Sequence, residues 1–172
     1  MRKGRLQQTW VRCLLTALTA AVMVMIFCFS METAEKSDET SGNITGIVIG
    51  VFYPGFEEYP ATEQEKVYSG IQVVVRKMAH YSEYTLLGLL IRLCMESWYG
   101  KRRWLSHVSW ATGALYACTD EIHQLLIDGR SGEWTDVLLD SAGVLTGVMA
   151  AVVMLYLVRR KIRRERMKKE CP

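Results

Sequence analysis

Between Thr119 and Gly143 the chain reads TDEIHQLLIDGRSGEWTDVLLDSAG, which sets Asp120, Glu121, His123, Asp128, Arg130, Glu133, Asp136 and Asp140 between two strongly apolar stretches. A second polar run, RKMAHYSEY, carries Arg76, Lys77, His80 and Glu83. These residue types suit acid–base work on an anionic ligand. His80 or His123 can move a proton, with Asp120 or Glu83 orienting the ring, and Arg76, Lys77 and Arg130 can hold phosphate or carboxylate. The candidate catalytic set is therefore His80, Asp120, Glu121 and His123, with Arg76, Lys77, Glu83, Gln124, Arg130, Asp136 and Asp140 as substrate-binding residues. No Ser or Cys stands in a nucleophile motif, so covalent catalysis has no support.

A divalent metal is the lesser alternative. His80, His123, Asp120, Glu121 and Asp140 are adequate ligand types, yet no H-E-x-x-H or comparable spacing occurs, so no metal residue is assigned and no cofactor is expected.

Helices must position these groups, and the apolar blocks show which. Half of the 172 residues are hydrophobic, concentrated in Trp10 to Phe29, Met78 to Trp98, Trp104 to Ile127 and Asp136 to Val158. Each block reaches the roughly 20 residues that a helix needs to cross a bilayer. The first follows Arg2, Lys3 and Arg5 without a small-residue cleavage site, so it is kept as a helix rather than a signal peptide. Four crossings would put both termini on one side. Of the 21 basic residues, 15 lie before Arg12 or at it, in Lys101 to Arg103, or in Arg159 to Lys169, all on that same side in a four-helix arrangement. Basic flanks stay cytoplasmic, so both termini are expected there. Trp10, Trp98, Trp104 and Trp134 are expected as interface anchors.

Ser30 to Val75 carries eight acidic residues against Lys36 and Lys66 and is expected outside the cytoplasm. Within it, residues 32–46 have the composition of a flexible linker, and GIVIGVFYPGF is a short apolar piece of unassigned role. Thr62 and Glu65 have capping-box spacing, and Val67, Ile71, Val74 and Val75 share a stripe, which predicts an amphipathic helix leading into the second span. The division is thus 1–29 for the arm and first span, 30–75 for the outer segment, 76–158 for the remaining spans and 159–172 for a basic tail. That tail touches headgroups rather than nucleic acid. The cysteines are expected to be packing residues. Arg92 and Glu96, at i, i+4, suit an interfacial pair, and His107 sits near the headgroups.

Three faces follow from helical spacing. Arg76, His80 and Glu83 share one; Asp120, His123 and Gln124 lie within one turn; Asp136, Asp140, Gly143, Gly147 and Ala151 form a stripe whose lower part is built for close helix contact. Intramembrane acids face a bundle or a wet cavity, so this stripe carries Asp140 inward.

RKMAHYSEYTLLG followed by TDEIHQLLIDGRSGEWTDVLLDSAGVLTG, over roughly Val75 to Gly147, resembles the VanZ-like membrane proteins of bacteria. The resemblance implies functional elements at Lys77 and His80, at Asp120, Glu121 and Gln124, at Gly129 and Arg130, and at Asp136. Leu126 and Ile127 stand where family members often carry an aromatic residue and a proline. The family's name-giving member is linked to low-level resistance to the glycopeptide teicoplanin. The expectation is an all-α, multi-pass protein of the bacterial cell membrane, with four transmembrane helices and an outer amphipathic helix. Its partners would be the lipid bilayer and a lipid-linked or cell-wall precursor, an anionic envelope component that an outward polar site recognises or modifies. The competing expectation is a scaffold whose buried charges only fix helix packing.

Overall fold

A computed structural model describes residues 2–127 and 132–170, and these residues form five α-helices, one 3₁₀ turn and no strand. The helices are α1 (Arg2–Ser30), α2 (Ala34–Phe52), α3 (Ala61–Tyr99), α4 (Leu105–Gln124) and α5 (Trp134–Glu170), with the 3₁₀ turn at Phe56–Glu58. The expected helical class holds, and α3 is the element against which α1, α2, α4 and α5 all pack.

The outer segment departs from the linker expectation. Residues 34–52 are helical because Thr33 caps Lys36 N–H, Glu35 sits in the first turn, and Glu32 pairs with Lys36. Tertiary contact does the rest. Ser41, Thr45 and Ile49 are buried on α3, Gln72 donates to the Asp38 carbonyl at 3.0 Å, and Arg76 pairs with the Asp38 carboxylate at 2.8 Å. Pro54 and Gly55, the latter at φ 82°, turn the chain back.

α3 then runs for 39 residues through positions 75 and 76 without a break. The expected capping box is not used. The N-cap falls two residues earlier, at Pro60, and no side chain caps the helix. On the expected apolar stripe, Val74 is 60% exposed while its partners are partly covered.

Two helical stretches, Gln8–Ser30 and Trp134–Lys168, are long and apolar enough to cross a membrane. Helices α3 and α4 do not meet that standard, being interrupted by Glu83, Arg92 and Glu96 and by His107, Asp120 and Glu121 respectively. Two of the four expected spans therefore stand on composition alone. Both apolar helices keep large side chains outside, including Leu14, Leu18 and Val24 on α1 and Leu145, Met149 and Val153 on α5.

The core joins Ile26 of α1, Tyr84, Leu87 and Ile91 of α3, Ala117 of α4, and Val144 and Val148 of α5. Its tightest part is backbone on backbone. A Cβ at Gly147 would collide with the Thr85 carbonyl and lie 2.6 Å from Leu89 N, and one at Gly143 would lie 2.6 Å from the Tyr81 carbonyl. The small-residue stripe of α5 thus faces α3, with Ala151 fully buried at its end.

The basic segments meet at one end. Arg12 donates to the Ser97 carbonyl at 2.8 Å and lies over the Trp98 ring, while Arg159 pairs with Glu96. Arg92 and Glu96 form the expected i, i+4 pair at this basic end, but it is covered by protein instead of snorkelling. Both are buried, with Arg92 Nη2 2.6 Å from Glu96 Oε2 and Arg92 Nε donating to Ser106 Oγ, because Arg159 and α4 close over them. The described cysteines do not pack inside: Cys13, Cys28 and Cys118 are exposed and Cys94 is half-buried beside Thr16, while Cys171 lies outside the described residues.

The glycine contacts give a paired prediction. Gly147→Ala should lower thermal stability in detergent by about 1–3 kcal/mol through forced helix separation. Gly46→Ala, whose Cβ meets nothing within 4 Å, should raise it by about 0.5–1 kcal/mol. Equal effects of the two changes would refute the close α3–α5 contact.

Candidate functional site

At the end opposite the basic segments, α3, α4 and α5 deliver their polar side chains to one level. His80 and Glu83 come from the middle of α3, Asp120, Glu121 and Gln124 from the last two turns of α4, and Asp136 and Asp140 from the first two turns of α5. The glycine contact sets this level, since Gly143 lies three residues after Asp140 and packs on Tyr81, the residue after His80. Helical periodicity then turns both Asp140 and His80 toward α4.

The centre is a trio. One ring nitrogen of His80 and one oxygen each of Asp120 and Asp140 all lie within 4.8 Å of one another. Asp120 is 4% exposed and Asp140 2% exposed, and Oδ1 of each has no hydrogen-bond partner. Gln124 Nε2 donates to the other oxygen of Asp120 at 3.3 Å. Glu83 lies within electrostatic reach of both aspartates, and the buried Tyr84 hydroxyl forms the floor beside them. Tyr84 and Tyr116, which tilts against it at 6.3 Å, lay outside the sequence assignment, because a tyrosine in an apolar run carries no signal of its own.

Above the trio is a second, more exposed layer. Lys77 pairs with Asp136 and, at 3.7 Å, with Glu133. The Asp136 hydrogen bond holds the Lys77 ammonium above its ordinary pKa, so it stays charged at physiological pH. Glu121 accepts a hydrogen bond from the Glu133 backbone N–H and so ties the end of α4 to the approach to α5. Glu133 was also missed, for its role rests on contacts that spacing does not reveal.

Two candidates stand elsewhere, and a third is not described. Arg76 points to Asp38 on α2 instead of sharing the His80 face, because α2 supplies the nearer carboxylate. His123 stacks on Phe27 of α1 with ring centroids 4.8 Å apart, which takes it out of the trio although it lies only three residues from Asp120. Arg130, with Gly129, lies outside the described residues.

The arrangement is rich in carboxylate. Among the described residues no lysine or arginine ion pair reaches Glu83, Asp120 or Asp140. Such a centre can bind a cation, exchange protons with a bound ligand, or accept hydrogen bonds from it.

Comparison with known proteins gives one match: the model of the VanZ/LLP1 family fits residues 15–156. No curated protein matches the chain, and no solved structure does.

Buried carboxylate oxygens without partners are costly, and that cost separates a site from a scaffold. Asp140→Asn keeps size but removes the charge. In metal-free detergent solution it should raise the melting temperature by a few degrees, worth about 1–2 kcal/mol. A loss of about 3–5 kcal/mol, measured by thermal unfolding, would instead identify Asp140 as half of a structural ion pair.

Proposed function

This chain belongs to the VanZ/LLP1 family, and we propose that it is a multi-pass membrane protein whose outward polar site recognises or modifies an anionic component of the cell envelope. The observation that carries the reading is the gathering of His80, Glu83, Asp120 and Asp140 at one level of an otherwise apolar bundle, with Lys77 above them. Polar groups of this cost inside a membrane mark sites.

The packing supports four crossings. Helices α3 and α4 are too polar to be assigned by composition, but their charged side chains turn inward: Arg92, Glu96, Asp120 and Glu121 are buried, while Leu86, Val108, Leu115 and Ile122 are exposed. A helix with this distribution can face lipid with its apolar side. Orientation rests on the basic end. Lys101, Arg102, Arg103, Arg159, Arg160 and Arg163 border one cavity of about 430 Å³ there, which suits the cytoplasmic face of a bacterial membrane.

The ligand enters where Lys77 can exchange its carboxylate partners for a phosphate or carboxylate of the envelope component, a lipid-linked or cell-wall precursor. His80 is the group placed to give or take a proton from it, with Glu83 and Asp120 beside it. The teicoplanin link of the family's name-giving member is not carried over to this chain. A scaffold reading has one observation in its favour, the paired state of Lys77 and Arg76. The unpartnered oxygens of Asp120 and Asp140 weigh against it.

Single cysteines at Thr40, Gly132, Gly100 and Lys168, in a chain lacking its native cysteines, test the topology. An impermeant maleimide should label the first two in intact cells and the last two only after lysis. Labelling of position 100 in intact cells would overturn the orientation.

For the ligand, purified protein should retain a polyprenyl phosphate over a neutral lipid of equal chain length by native mass spectrometry. Lys77→Gln should reduce that retention by about tenfold, the equivalent of one charge-assisted contact of about 1.4 kcal/mol. Retention equal for both lipids would defeat the anionic-ligand proposal.

A further inference from the structure

We propose that His80, Asp120 and Asp140 bind one divalent transition-metal ion, Zn²⁺ or Mn²⁺, between α3, α4 and α5. Three observations converge on it. The ligand atoms come from three different helices and lie within 4.8 Å of one another. Ligand atoms about 2.1 Å from a common tetrahedral ion stand about 3.4 Å apart, so side-chain movements of about an ångström close the set. The second observation is that Oδ1 of Asp120 and Oδ1 of Asp140 are buried without a hydrogen-bond partner, on side chains more than nine-tenths covered. Third, among the described residues no lysine or arginine pairs with them, for Lys77 is committed to Asp136 and Glu133, and Arg76 to Asp38.

Chemistry selects the class of ion. One imidazole and two carboxylates mix the preferences of Zn²⁺ and Mn²⁺, whereas Mg²⁺ and Ca²⁺ favour oxygen alone. Gln124 donates to the oxygen of Asp120 that is not orphaned, the kind of outer contact that orients a metal-binding carboxylate. Three protein ligands leave at least one coordination position for water or for an oxygen of a ligand. A metal there would also answer a difficulty in the functional proposal, since it would turn a carboxylate-rich centre into one that attracts anions. His123 takes no part, being stacked on Phe27, and neither does Glu121, which holds the Glu133 amide.

The test uses the full chain in detergent without added lipid, so metal uptake stands or falls apart from the envelope ligand. Elemental analysis of the purified protein, and titration of chelator-stripped protein with ZnCl₂, MnCl₂ or MgCl₂, are the readouts. The expected result is about one equivalent of Zn²⁺ or Mn²⁺ per chain, with a rise in melting temperature of roughly 5–10 °C at a hundredfold excess over Kd. Mg²⁺ should give a smaller rise. Asp140→Asn and His80→Gln should each weaken binding by more than about tenfold, while His107→Gln on the exposed side of α4 should leave it unchanged. Wild-type protein that neither holds metal nor shifts its melting temperature with Zn²⁺ or Mn²⁺ would overturn the proposal, and so would undiminished binding by both variants. It would equally fall if Arg130→Gln destabilised the stripped protein and adding Asp120→Asn restored it, because the carboxylates would then answer to an arginine.

Discussion

The backbone contact between α3 and α5 is the constraint on which the rest of the molecule depends. Gly143 and Gly147 bring α5 against the carbonyls of Tyr81 and Thr85, closer than any side chain allows. Helices this near cannot slide without raising a ridge over a neighbour, so the contact fixes relative depth as well as distance. His80 and Asp140 flank it on the outer side, and their meeting is a consequence of its register. Helix α4 then packs over the pair and brings Asp120 to the same level.

That contact also divides the charged residues into two kinds. At the basic end, Arg92 and Arg159 both pair with Glu96 and Arg92 donates to Ser106, although Arg92 Nη1 has no hydrogen-bond partner. At the other end, the outer layer is paired through Lys77 while the inner trio holds orphaned carboxylate oxygens. The two ends differ in charge balance: the first sets two arginines on one carboxylate, whereas among the described residues no lysine or arginine pairs with the aspartates of the inner trio.

Much of the site was legible in the sequence because helical periodicity fixes the direction of each side chain within its own helix. His80 with Glu83, Asp120 with Gln124, and Asp136 with Asp140 were placed on single faces by spacing alone, and the glycine stripe showed which way α5 turns. Spacing does not say which neighbour receives a face. Arg76 went to Asp38 and His123 to Phe27 for that reason, since both partners lie on helices distant in sequence. Helix α2 was hidden by its composition: Ser, Thr and Gly are poor helix formers, and contacts to Gln72 and Arg76 supply what propensity does not. The Arg92–Glu96 pair was legible from its i, i+4 spacing, but its burial was not, because nothing near it in sequence announces that Arg159 will cover it.

Helix α3 has a mechanical property that its contacts alone do not convey. It runs from Ala61 to Tyr99 with no proline inside it, and its first half is braced along α2. About 20 residues separate its start from His80, a span of roughly 30 Å at the rise of an α-helix. A rod of that length, braced along α2 in one half and clamped by glycines to α5 in the other, carries the hairpin and the buried trio on one continuous helix, so the hairpin's position and that of His80 and Glu83 are fixed by the same backbone.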